Sequence, residues 1–201
     1  MIVGVRNSLP HGPAPAPILL LAGLGMLLVV HLPRLPAWLG GFLVAILGWR
    51  LLHDLGRVRL PNRWLRVVLV LGGGLGILAA YHTLIGREAG TALLLLLTIL
   101  KLTEMQTPRD VTVALFLGYF VVVLSFLFSQ SIPYTVWLFG VLLALLFAQL
   151  MYSHPATRAQ AWARFTPQLK LTLRLVAQAL PLALLLFLFF PRVSGPLWAL
   201  P

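Results

Sequence analysis

Seven apolar runs, separated by short segments that carry nearly all the charge, restrict this chain more than any other feature. The runs fall at residues 18–32, 37–52, 67–85, 89–100, 111–128, 132–152 and 171–190, the fourth needing a helix carried on to about Thr107 to reach spanning length. Lipid offers no partner to a backbone N–H or C=O, so segments of this kind become helices, each of about 20 residues. Composition agrees: 60% of residues are hydrophobic and 9% charged, against roughly 45–50% and ~25% in a soluble domain. The expected fold is an all-α integral membrane protein with about seven transmembrane helices. The first two runs are shorter than a comfortable span. They read as two short spans around a tight turn at Pro33–Pro36 or as one re-entrant hairpin, with two spans preferred.

Charge then orients the runs. Fifteen Lys/Arg oppose four Asp/Glu, giving a net charge of +11. In a soluble protein that excess would suggest nucleic acid. Here the positive residues flank apolar runs, where they set topology and meet anionic lipid, so the lipid bilayer is the expected partner and nucleic acid is not. With seven spans, twelve basic residues fall on the N-terminal side: Arg6, Arg50, Arg57, Arg59, Arg63, Arg66, Lys101, Arg109, Arg158, Arg164, Lys170 and Arg174. Three fall opposite: Arg34, Arg87 and Arg192. The positive-inside rule therefore places the N-terminus in the cytoplasm and the C-terminus outside, and a hairpin at the start preserves that parity. Residues 1–17 read as a Pro-rich cytoplasmic lead-in, 18–190 as the membrane domain and 191–201 as an exit segment. Arg6 precedes an apolar run as in a signal peptide, but no small-residue cleavage site follows, so the segment is expected to be retained.

Within this frame a few residues stand out. Residues 50–66 read as a basic cytoplasmic loop, and 153–170 as a second one bearing Trp162 and Phe165. Gly72 and Gly76, four apart, suit close helix packing. Tyr81 and His82 end the third run as interfacial anchors. Lys101 and Glu104 share a helix face and can pair. Thr107-Pro108-Arg109-Asp110 specifies a helix start, with a capping residue, a proline in the first turn and an acid at the reciprocal position. Lys101, Glu104, Arg109 and Asp110 thus form the candidate functional or structural cluster. Lys170, Arg174 and Gln178 make a polar stripe entering the last run, with Arg174 and Gln178 the candidate intramembrane polar residues and Pro181 the expected kink. No catalytic residue emerges. There is no cysteine, the motifs of zinc hydrolases and serine hydrolases are missing, and the five histidines are scattered. No metal or other cofactor is implied.

Residues 100–131 carry more. Lys101-Leu102-Thr103-Glu104, Pro108-Arg109-Asp110, Phe116-Leu117-Gly118-Tyr119-Phe120 and Phe126-Leu127-Phe128-Ser129-Gln130-Ser131 resemble the N-terminal membrane region of TgpA-type bacterial transglutaminase-like proteins. The exit segment resembles the stretch that leads, in that family, into the periplasmic part. The resemblance implies an inner-membrane, cell-envelope protein whose C-terminus faces the periplasm. It also implies a periplasmic catalytic domain with a Cys-His-Asp triad as the C-terminal partner, and the basic cytoplasmic loops could dock other proteins. No triad residue transfers to this cysteine-free chain. Against this anchoring role stand a lipid or small-molecule binding or transport function of the domain itself, and a helix-packing oligomerisation role.

Overall fold

The computed structural model describes residues 15–83, 86–153 and 158–189. The expected exit segment and most of the lead-in lie outside the described residues. Among the described residues eight helices follow one another: α1 (Pro15–His31), α2 (Ala37–Asp54), α3 (Arg63–Tyr81), α4 (Arg87–Lys101), α5 (Pro108–Ser125), α6 (Ile132–Tyr152), α7 (Arg158–Ala163) and α8 (Phe165–Phe189). A 3-10 turn, Leu32–Arg34, joins α1 to α2. Among the described residues there is no strand.

Helix ends follow local chemistry. Pro15 and Pro17 sit in the first turn of α1, where a missing N–H costs nothing. Asn62 caps α3 by accepting from the Leu65 N–H at 2.8 Å. That helix stops at His82, which takes a left-handed conformation (φ 55°) and returns its N–H to the Leu78 carbonyl. The capping box expected at Thr107 is formed: Thr107 accepts from the Asp110 N–H while Asp110 accepts from the Thr107 N–H.

Several boundaries differ from the sequence reading. The basic loop expected at 50–66 shrinks, because α2 continues through Arg50 to Asp54 and α3 already begins at Arg63. Arg50 remains helical because an acid lies one turn on and a helix end lies beside it. Trp49 then pins the remaining loop, donating from Nε1 to the Arg59 carbonyl at 2.9 Å. The fourth helix ends at Lys101, not near Thr107. Leu102 and Met105 turn into the core, and the N–H groups of Leu102, Thr103 and Glu104 each reach a carbonyl three residues back. The expected loop 153–170 is largely helical, and α8 passes Pro181 without ending.

Five helical stretches are long and apolar enough to cross a membrane: Pro15–Arg34, Arg63–Tyr81, Pro108–Ser125, Ile132–Tyr152 and Phe165–Leu186. The other two long helices are α2, with charges in its last turn, and α4, with 15 residues. Such helices fit a membrane protein. At the centre, α1 runs along α6, and α5 closes against both. Leu145 of α6 fills the space left by Gly23 of α1 and Gly118 of α5; a Cβ at Gly23 would stand 2.9 Å from it. Small residues thus bring three backbones together where lipid supplies no hydrophobic drive. On the other flank, α4 packs on α2 and α5.

Two helices lie at the margins. α8 leans on α6 and α3 leans on α4. Glycines again make the seam of α3: Gly73 meets Leu96, and Gly76 meets the Trp38 ring. Of the expected pair, Gly76 is thus in contact, whereas Gly72 has no neighbour within 4 Å of its Cβ direction. The helix turns its three-residue spacing, not its four-residue spacing, toward the bundle. Much of both marginal helices is exposed and apolar, including Trp64, Leu71 and Leu75 on α3 and Leu182, Leu184 and Leu188 on α8. That surface needs lipid or a partner.

Candidate functional site

Polar side chains gather at both ends of the helices, and the two gatherings differ in kind. At one end, α4 finishes and α5 starts. Lys101 Nζ donates to Glu104 Oε2 at 3.1 Å and to Asp110 Oδ1 at 2.9 Å. Asp110 Oδ2 also accepts from the Thr107 N–H at 3.1 Å and the Thr107 hydroxyl at 2.8 Å. One carboxylate therefore caps α5 and holds the last residue of α4. Arg66 of α3 stands 3.8 Å from Glu104. Arg109, expected in this cluster, points outward and is exposed.

Sequence reasoning missed the strongest member. Arg50 is buried on α2, and its guanidinium straddles Asp54, with Nε to Oδ2 at 3.2 Å and Nη2 to Oδ1 at 3.1 Å. Its Nη1 donates to the Leu102 carbonyl at 2.7 Å and the Met105 carbonyl at 3.4 Å. A cation placed on the free carbonyls after a helix complements the negative end of its dipole. The sequence signal for it is the i, i+4 spacing of Arg50 and Asp54 at the edge of the basic segment. Three of the four acids in the chain, Asp54, Glu104 and Asp110, are held at this end, each against a cation. With its carboxylates occupied in this way, and His53 Nδ1 also 3.3 Å from Asp54 Oδ1, the cluster is built as a structural clamp. It locks four helices together.

The opposite end is built from aromatic rings and arginines. His31 Nε2 lies 3.0 Å from Ser125 Oγ, both buried, and the serine hydroxyl donates to the Val121 carbonyl at 2.7 Å. Since that hydroxyl has one hydrogen, His31 must carry its proton on Nε2 and donate it to Ser125. The His31 ring meets Phe128 edge-on at 5.8 Å. Arg34 and Arg87 each lie over Phe128, at 5.2 and 5.0 Å from the ring centroid. Arg87 donates to the Leu127 carbonyl at 3.1 Å, and Tyr134 donates to the Ser125 carbonyl at 3.1 Å. Nothing in the sequence pattern united these residues, because they come from four helices and the turns beside them.

The remaining candidates are separate. Arg174 and Gln178 are exposed on α8, away from both gatherings, while Thr172 beside them is buried and bonds back to the Gln168 carbonyl at 2.9 Å. Tyr119 donates to Gln149 Oε1 at 2.6 Å between α5 and α6. Among the described residues, no group of three or more His, Cys, Asp and Glu converges as metal ligands would.

Comparison with known proteins assigns the chain. A family model described as the TgpA N-terminal domain matches residues 19–201. A protein-glutamine gamma-glutamyltransferase of Pseudomonas aeruginosa strain PAO1 is 38% identical over 189 residues, covering 94% of this chain and 28% of that protein. The chain thus spans little more than a quarter of that relative's length. No solved structure matches. The family expected from residues 100–131 and the exit segment is the family found.

Proposed function

Because this chain belongs to the TgpA N-terminal domain family, we propose that it anchors and positions a periplasmic transglutaminase-like catalytic domain at the bacterial inner membrane. One observation carries this reading: a relative named for glutamyl transfer shares the chain across 94% of its length, yet the match takes up 28% of the relative. Catalysis by a cysteine nucleophile has no residue here, since the chain contains no cysteine. What these residues supply is a rigid helical body with basic segments at one end. In this reading α1 to α6 and α8 are the seven spans, the Lys101–Asp110 end faces the cytoplasm, and α8 delivers the chain to the periplasm. The excess of basic residues on the cytoplasmic side and the lipid-suited faces of α3 and α8 support that arrangement.

The test replaces this domain, in a full-length family member, by one unrelated transmembrane helix of the same final orientation. Retained cellular function is the expected result of anchoring. Loss of function with the catalytic domain still folded, exported and active would overturn it and favour a separate role for the membrane domain. A reporter active only in the periplasm, fused after residue 201, checks orientation: it should be active, and an inactive fusion where a cytoplasm-active reporter at the same point works would reverse the topology.

A further inference from the structure

A groove of about 400 Å³ runs along the outside of α4 and α5, in the size range of ligand sites (~300–1,000 Å³). Its walls are Leu93, Leu94 and Leu97 of α4 and Phe120, Leu124 and Leu127 beside them, and Gly86 and Gly90 open its upper part. Gly90 has no neighbour within 4 Å of its Cβ direction, so the space there is left by the absent side chain. From Arg87 to Leu97 the wall follows about 15 Å of helix, at 1.5 Å per residue. The groove is apolar along this length and ends in charge, because Arg87 lines its mouth.

Among the described residues the charge at the mouth is not paired with a carboxylate. Arg87 and Arg34 both stack on Phe128, which holds the two guanidinium groups within about a Debye length of each other. Among the described residues Arg87 donates to the Leu127 carbonyl and Arg34 to the Val30 carbonyl. Among the described residues, neither forms an ion pair with a carboxylate. Glu88, the one acid at this end, is exposed and helps line a small cavity with Arg34, Tyr81 and Phe128. Ring stacking fixes a guanidinium while leaving its N–H edge free for an anion. An apolar slot with Arg87 at its mouth, and Arg34 of the adjoining small cavity held on the same Phe128 ring, matches an anionic phospholipid in both halves of its chemistry, given the membrane setting of the proposed function.

We propose that the α4–α5 groove holds one acyl chain of an anionic phospholipid whose phosphate is bound by Arg87 and Arg34. A zwitterionic lipid fills the slot as well but brings a cation to the same two arginines. A helix from a second copy or another protein would fill the slot without a phosphate.

Native mass spectrometry of the purified full chain, titrated with phosphatidylglycerol or phosphatidylcholine, tests this. The expected result is one tightly retained phosphatidylglycerol, bound roughly tenfold better than phosphatidylcholine. Arg34→Gln/Arg87→Gln should remove that preference, and Arg87→Lys should reduce it. Gly90→Leu should block retention of either lipid with both arginines in place. Arg57→Gln/Arg59→Gln, in the exposed loop at the other end, should change nothing. Helicity and elution volume of each variant establish that it is folded. Equal binding of the two lipids, full retention after Gly90→Leu, or loss of a dimer in place of a lipid would each overturn the proposal.

Discussion

The two ends of this helical body solve the same problem by opposite means. At the Lys101–Asp110 end, three of the chain's four acids meet Arg50, Lys101 and Arg66, and the carbonyls after α4 are occupied by Arg50. At the Arg34–Arg87 end, a single acid accompanies two arginines, and an aromatic ring does what a carboxylate does elsewhere. The first arrangement is electrically closed. The second holds its shape while leaving positive charge turned outward. In a chain with so few acids, their placement decides which end is a clamp and which can receive an anion. Counting basic residues alone would assign the clamp the larger positive field, yet Lys101 at the α4–α5 turn lies between two carboxylates and Arg50 against a third.

The sharpest way to break the contrast is to remove Arg50. Its partner Asp54 has a side chain only 8% exposed, and a buried charge deprived of its mate is costly, about 3–5 kcal/mol. Arg50→Leu should lower the midpoint of denaturant-induced loss of helicity, in detergent, by an amount equivalent to that figure. Arg50→Leu/Asp54→Leu should regain much of it, because a buried ion pair exchanged for apolar side chains is often neutral. Equal losses in the single and double variants would show that Arg50 matters through the Leu102 and Met105 carbonyls rather than through Asp54.

The other end should respond more mildly, because its buried pair is neutral. Ser125→Ala leaves the His31 N–H without an acceptor, a penalty of about 1–3 kcal/mol for an unsatisfied buried donor. His31→Leu/Ser125→Ala removes both members and should fall closer to the parent. The same denaturation series reads both ends, so the ordering is a direct comparison. A Ser125→Ala loss as large as that of Arg50→Leu would mean that the aromatic end, not the ionic end, holds the body together.

These ends were unequally visible from sequence. Apolar period and length located every long helix, since lipid forces helix formation wherever a run is long enough. The Thr107–Asp110 start was legible because capping is local: both partners lie within four residues. Lys101 with Glu104 was legible for the same reason. Arg50 was misread because a charge in a short segment between apolar runs looks solvated, and only the arrival of Leu102 and Met105, some fifty residues on, makes it a buried cap. Phe128, Arg34 and Arg87 could not be joined by spacing at all, as their meeting depends on how α1, α4 and α5 pack. Gly76 was found, but its companion in the seam is Gly73, because the contact face of α3 follows the position of its neighbours and not a fixed motif.

The smallest effects should come from the exposed part of the clamp, and they separate its two devices by salt. Lys101 and Asp110 have side chains 22% and 23% exposed, so their attraction is largely screened and Lys101→Leu should cost about 1 kcal/mol or less. Thr107→Ala removes the hydroxyl that accepts from the Asp110 N–H and donates to its carboxylate, a cap worth about 1 kcal/mol. In low salt the two variants should look alike in the denaturation midpoint. At about 1 M salt the Debye length falls to roughly 3 Å, so the Lys101→Leu loss should shrink while the Thr107→Ala loss persists, because a neutral hydrogen bond has no long-range field to screen. If both losses shrink together, Asp110 acts on α5 as a charge and not as a capping partner. The Arg50 loss should be the least salt-sensitive of all, since ions do not reach a pair so deeply covered.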